Sequence, residues 1–167
     1  MILITYTTVY RSVGDKFERV AQTMASELKE SGEEIECLKI ESKKDLKAIF
    51  HKYLNEDRQI DEFHFVGHSG LYGPMYGSEG YPEQFSPYEW KTLEIPFAEN
   101  AKAYFHCCRS ARWFANYFAN IFSVDTYGYH WYTTFSKKKD RFKKEWKEEG
   151  PLYSIGCIGR KSHGLIG

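Results

Sequence analysis

Two apolar stretches of this chain each run into a residue capable of chemistry. Phe63-His64-Phe65-Val66 leads into Gly67-His68-Ser69-Gly70, and Ala103-Tyr104-Phe105-His106 leads into Cys107-Cys108-Arg109-Ser110. Both stretches read as strands. In an open α/β sheet the C-terminal strand ends share one crevice, where ligands bind. A histidine and a cysteine delivered to that crevice make a thiol nucleophile with an acid–base partner. Cys108 is the candidate nucleophile, and His68 is the candidate proton donor to a leaving amine. Backbone N–H groups of Ser69, Gly70 and Cys108 are candidate donors to a developing oxyanion. The plain alternative is a buried small residue at Cys108 and a turn histidine at His68. Their joint position at strand ends favours chemistry.

The elements that must carry these residues alternate along the chain. Ile2 to Tyr6 reads as a first strand. Asp15 and Glu18 have capping-box spacing, Phe17, Val20, Ala21, Met24 and Leu28 recur at helical spacing, and Gly32 stops that helix. Ile35 to Ile40 reads as a second strand, and Ser42 opens a helix with Leu46, Ile49, Phe50 and Tyr53 on its apolar face. Leu71 to Phe85, rich in Gly, Pro and Tyr, reads either as a cover facing substrate or as a solvated surface loop. Ser86-Pro87 starts another helix. A helix from about Ala111 to Phe122 follows Cys108, with Ser110 as its N-cap. Its N-terminal partial charge and Arg109 would then favour a thiolate. Thr126 to Phe135 suggests a fifth strand and Leu152 to Ile158 a sixth. This order predicts an α/β fold: a mainly parallel sheet of about six strands with helices on both faces. No repeat or long linker divides residues 1–167, so a single domain is expected.

Composition narrows the function classes. The formal net charge is zero, so no global field points to nucleic acid, and no nucleic-acid partner is expected. Aromatic residues make up 17%, more than a minimal core needs. Cys37, Cys107, Cys108 and Cys157 show no CxxC spacing, and adjacent Cys107 and Cys108 suit no ordinary disulfide framework. The apolar start is too short for a signal peptide, and no stretch is long enough to span a membrane. A reduced, cytoplasmic protein without a membrane partner is the expectation.

Strand–Gly-His followed by strand–Cys-Cys-Arg-Ser resembles the caspase-like cysteine peptidases, including metacaspases and separase-type and toxin-processing members. The strand–helix order agrees up to about Phe135. The resemblance implies a caspase-like three-layer sandwich, a protein or peptide substrate and no cofactor. It places the catalytic histidine at His68, the nucleophile at Cys108 and the preceding small residue at Cys107. Two departures stand out. The family usually has Gly directly after its histidine, whereas this chain has Ser69 and then Gly70. Metacaspases carry an acidic residue two places before the cysteine, and His106 stands there, so a preference for basic substrate residues does not follow. Tyr127 to Thr134 resembles the family's substrate-binding strand, which makes Trp131 and Tyr132 candidate pocket residues, with core packing as the alternative. The implied activity is a cysteine endopeptidase working through an acyl-enzyme.

Other readings compete. The opening strand, Thr-rich turn and helix also resemble a flavodoxin, with Gly67 to Gly73 as a loop over a flavin. Against this, Thr7 to Ser12 lacks the tight Thr-Gly phosphate loop and Cys108 has no use. His64, His68, His106 and Cys108 share strand parity and could converge on a metal, although their spacing matches no standard zinc pattern. Gly67-His68-Ser69-Gly70 approaches a serine-hydrolase elbow, but Leu71 stands where the final Gly belongs. Lys137 to Glu149 reads as a solvated amphipathic helix with an Arg141–Glu145 pair. Its alternative is a surface for a regulatory partner or polyanion, as toxin-processing relatives respond to one. A catalytically silent caspase-like interaction domain is the last alternative.

Overall fold

A computed structural model of the protein describes residues 1–13, 15–145 and 149–156. In chain order the elements are β1 (Ile2–Tyr6), α1 (Lys16–Leu28), β2 (Ile35–Lys39), α2 (Lys43–Asn55) and β3 (Ile60–Val66). Four two-residue strands follow: β4 (Ser69–Gly70), β5 (Gly73–Pro74), β6 (Tyr76–Gly77) and β7 (Pro82–Glu83). Then come α3 (Pro87–Lys91), β8 (Phe97–His106), α4 (Phe114–Phe122), β9 (Asp125–Tyr127), β10 (Thr133–Ser136) and β11 (Tyr153–Gly156).

The central sheet has five parallel strands in the order β2-β1-β3-β8-β9. Every residue of β1 is buried, as expected of an inner strand covered on both faces. Side-chain alternation divides the core in two. Leu3, Phe63, Phe65, Ala103 and Phe105 face Phe50 of α2, Trp90 of α3 and Phe118 of α4. Ile2, Ile4, Tyr6 and Val66 face Phe17, Val20, Ala21 and Ala25 of α1. Helices thus cover both faces of a mainly parallel sheet.

Local chemistry sets the helix starts. Ser42 with Asp45, and Ser86 with Glu89, form reciprocal capping boxes, and Pro87 sits in the first turn of α3. Asp15 stands at the N-cap of α1, but its side chain makes no capping bond. Glu18 is drawn elsewhere, accepting from the Tyr6 hydroxyl at 3.1 Å and from Gln22 Nε2 at 3.3 Å.

Several expectations need correction. The stretch Thr126 to Phe135 is not one strand: β9 belongs to the central sheet, whereas β10 pairs antiparallel with β11. The sixth strand, β11, therefore lies in a separate two-stranded sheet, and residues 157 and 158 lie outside the described residues. No helix forms over residues 137–145. Ser136 Oγ gathers that segment, donating to the Arg141 carbonyl and accepting from the N–H groups of Lys138 and Lys143. Glu145 pairs not with Arg141 but with Arg19 of α1, at 2.5 Å, both side chains being largely buried. The Gly-, Pro- and Tyr-rich connection is solvated only in part, with Leu71 and Tyr81 exposed. Its Tyr76 and Phe85 are fully buried, and the Trp90 indole donates to the Tyr72 carbonyl at 3.2 Å. Among the described residues no helix is long and apolar enough to cross a membrane.

Gly73 turns this connection inward at a φ of 94°, and a Cβ there would lie 2.6 Å from the buried Phe114 ring. Gly73→Ala is expected to cost about 2–4 kcal/mol in denaturant unfolding, from left-handed strain plus overpacking. Gly80→Ala, whose Cβ would meet nothing within 4 Å, is the control and should change stability by less than about 1 kcal/mol.

Candidate active site

The site grows from the pairing of β3 with β8. Phe63 pairs with Ala103, Phe65 with Phe105 and Val66 with His106. His68 and Cys108 each follow the last pair by the same number of residues, so they leave the sheet side by side. The His68 ring lies against Phe17 of α1, and the Cys108 sulfur meets Thr133 of β10. Ser69 Oγ, next to His68, donates to the Cys108 carbonyl and ties the two strand ends together.

His68 is held by its backbone and ring neighbours. Its Nε2 lies 2.9 Å from the Arg11 carbonyl, which can only accept, so Nε2 carries the hydrogen. The neutral ring then has a bare lone pair on Nδ1. The Phe17 ring meets the imidazole edge-on at 4.9 Å, and Tyr10 does so at 5.9 Å. Burial pushes the His68 pKa below its ordinary value, and the hydrogen bond to Arg11 partly opposes that. Near neutral pH this imidazole is therefore a proton acceptor.

Cys108 is half-buried, and its sulfur is covered by β10. The Thr133 N–H donates to Sγ at 3.3 Å, and Thr133 Oγ1 lies 3.4 Å away. No hydrogen bond joins Sγ to His68 among the described residues. Its neighbour Cys107 is fully buried, and burial pushes its thiol up to about 12. Cys37 is likewise pushed up to about 11 by burial.

The expected helix N-terminus at Cys108 is not there. Helix α4 begins at Phe114, its N-cap position is Trp113, and no side chain caps it. Ser110 serves a different purpose. Its buried hydroxyl faces the Phe105 and Cys107 carbonyls, each at 2.9 Å, and accepts from the Tyr129 N–H at 3.1 Å. The turn is further laced to residues 129–131 by Arg109 N–H to the Trp131 carbonyl at 2.8 Å and Ala111 N–H to the Tyr129 carbonyl at 3.1 Å. Arg109 adopts a φ of 58°, a left-handed conformation costing roughly 1–2 kcal/mol for a non-glycine residue. Gly128 allows the close approach, since a Cβ there would fall 2.5 Å from Ser110 Oγ.

Trp131 and Tyr132 thus stand beside the cysteine turn. The Arg109 guanidinium lies 4.3 Å from the Tyr132 ring centre and 5.3 Å from that of Trp131, and it donates to the Tyr132 hydroxyl. Arg112 covers Trp131 at 4.4 Å. These cation–aromatic contacts fix the rings beside the sulfur, with Tyr132 still 43% exposed.

Hairpin geometry separates the two predicted oxyanion donors. The Met75 N–H donates to the His68 carbonyl, and Ser69 pairs with Pro74, Gly70 with Gly73. In an antiparallel ladder, hydrogen-bonded and non-bonded pairs alternate, so Gly70 spends its N–H on Gly73 and Ser69 does not. Ser69 N–H is accordingly the one that the ladder leaves without a strand acceptor.

His64 and His106 form a group of their own. His64 Nδ1 lies 3.2 Å from His106 Nε2, and His64 Nε2 lies 3.2 Å from the Glu62 carboxylate. Among the described residues no three His, Cys, Asp or Glu side chains converge as a metal site. Thr133, the Arg11 carbonyl and the Ser110 hydroxyl are the contributors that sequence reasoning missed. Only Gly128, beside the cysteine turn, signalled that approach. No protein-family model matches the chain, and no curated protein matches it.

Burial pushes the His106 pKa down to about 3, with His64 and Lys139 acting in the same direction. An unfolded histidine titrates near 6.5, so between these values the unfolded chain binds the extra proton. Stability should therefore be full above about pH 6.5 and fall as the pH drops towards 3, by roughly 1 kcal/mol per pH unit from this group. Thermal melts of wild type and His106→Phe between pH 4 and 7, about the window given by these pKa values, should show a shallower acid slope in the variant.

Proposed function

We propose that the protein is a cysteine endopeptidase of caspase-like organisation, with Cys108 as nucleophile and His68 as its proton carrier. The observation that carries this reading is the orientation of His68. The Arg11 carbonyl takes the Nε2 hydrogen, leaving Nδ1 free to accept a proton at the strand end adjoining Cys108.

The chemistry follows from those atoms. A peptide carbonyl entering between the two groups meets Sγ on one side, with the N–H groups of Ser69 and Cys108 as donors to its oxygen. As the S–C bond forms, the thiol proton passes to His68 Nδ1, and the carbonyl π pair moves onto oxygen. Collapse of that intermediate breaks the C–N bond, and His68 returns the proton to the departing amine. The acyl-enzyme is then opened by water, which gives a proton to His68 as it adds. The C–S bond breaks, and the sulfur recovers that proton. Thr133 must yield its contacts with the sulfur as the substrate strand enters. Trp131 and Tyr132 supply the aromatic wall for the flanking substrate side chain. With Arg109 and Arg112 already beside that wall, a basic side chain is disfavoured there.

Cleavage of a diverse peptide library, read by mass spectrometry, tests the proposal. Wild type should cut and Cys108→Ala should not, with His68→Gln slowed by roughly 10²–10⁴-fold. The depressed His68 pKa sets the pH dependence. The neutral imidazole is the active form, so kcat/KM should fall on the acid side with an apparent pKa below about 6.5. Cleavage that survives Cys108→Ala removes Cys108 as nucleophile. Absence of cleavage by wild type returns the chain to a binding role.

A further inference from the structure

A cavity of about 550 Å³ opens on the α1 face, below the cysteine turn, and the proposed chemistry makes no use of it. Its volume lies in the range typical of small-molecule sites. Val20, Met24 and Leu28 of α1 form one wall, with Leu152 and Ile155 beside them. The sheet supplies the other wall through Glu62, His64, Tyr104 and His106.

Those sheet rings are unusually ordered. His64 stacks on Tyr104 at 4.7 Å and 7°, and Tyr104 stacks on Tyr127 at 5.0 Å and 14°, across three neighbouring strands. His106 lies nearly parallel to His64, at 11°. Of these rings, His64, Tyr104 and His106 line the cavity.

The hydrogen-bond chain fixes what the floor presents. Glu62 is held ionised by its hydrogen bond from His64, so the carboxylate accepts and His64 Nε2 carries the hydrogen. Burial keeps His64 neutral, so its Nδ1 is bare and accepts from His106. His106 therefore carries its hydrogen on Nε2, and its Nδ1 is a bare acceptor. His106 is 7% exposed and lines the cavity, and its hydrogen bond to His64 uses Nε2. A ligand that brings an N–H or O–H donor to this acceptor gains a hydrogen bond there.

The ionised side chains of the lining are already engaged by protein partners. Lys139 is paired with Glu27 at 3.1 Å, the Tyr153 hydroxyl also donates to Glu27, and Glu62 is engaged by His64. The cavity thus combines engaged charges, aliphatic and aromatic walls and the His106 ring, whose Nε2 is spent on His64. We infer that it is a binding site for an uncharged aromatic molecule carrying an N–H or O–H donor, directed at His106 Nδ1.

Indole and benzofuran are matched probes, since they share size and shape but only indole has a donor. Calorimetric titration of the whole protein should show saturable, equimolar indole binding. Benzofuran should bind about tenfold more weakly, the worth of one hydrogen bond. In His106→Phe, which keeps a ring but removes the acceptor, indole should lose its advantage over benzofuran. Equal affinity of the two probes for the unmodified protein would overturn the assignment, as would no binding of indole. A preference for indole that persists in His106→Phe would equally overturn it. The comparison on unmodified protein does not depend on how the variant folds.

Discussion

The parallel pairing of β3 with β8 is the constraint on which the rest depends. Its register is irregular only before Glu62, between the Ile60–Phe97 and Glu62–Lys102 pairs. From Glu62 to Val66 the strands run residue for residue, so any group beyond Val66 has a partner at the same distance beyond His106. Because alternation has a period of two, a slip of one residue would turn Cys108 to the opposite face from His68. Phe63, Phe65 and Phe105, all fully buried, oppose that slip, since it would move them out of the larger core. Core packing and site geometry are therefore secured by the same residues.

Beyond the strand ends, positioning passes to the backbone. The Arg11 carbonyl orients His68, the Cys108 carbonyl receives Ser69, and the Tyr129 and Trp131 carbonyls receive the cysteine turn. Carbonyl acceptors have no rotamers, so they orient the groups they hold with little loss of side-chain freedom. Strands β10 and β11 then join two regions. Thr133 on β10 covers the Cys108 sulfur, while Ser154 and Ile155 on β11 line the aromatic cavity.

Much of this was legible in the sequence wherever the signal was local. The apolar run of β1, the capping serines Ser42 and Ser86, and the placement of His68 and Cys108 at strand ends follow from composition and period alone. The failures share one physical cause, a local pattern whose partner lies far along the chain. Ser110 has the chemistry of an N-cap, but the acceptors and donor it serves are those of a turn held against Tyr129. Glu145 has a helical neighbour in Arg141 but is taken by Arg19 from α1. Thr126 to Phe135 is rich in Thr, Tyr and Trp like one strand, yet Gly128 marks where the chain leaves the sheet to press on Ser110. The central strand order, 2-1-3 followed by the two later strands, is one that flavodoxin-like sheets also use. The side chains at the strand ends, rather than the topology, carry the functional reading.

The central claim is that His68 activates Cys108 across the paired strand ends. Its most direct test is the rate of iodoacetamide alkylation at each cysteine near neutral pH, resolved by peptide mass spectrometry in wild type and His68→Ala. The account predicts that Cys108 reacts faster than Cys37 and Cys107, whose thiols burial holds protonated, and that its rate drops about tenfold or more without His68. An unchanged Cys108 rate in His68→Ala would contradict it.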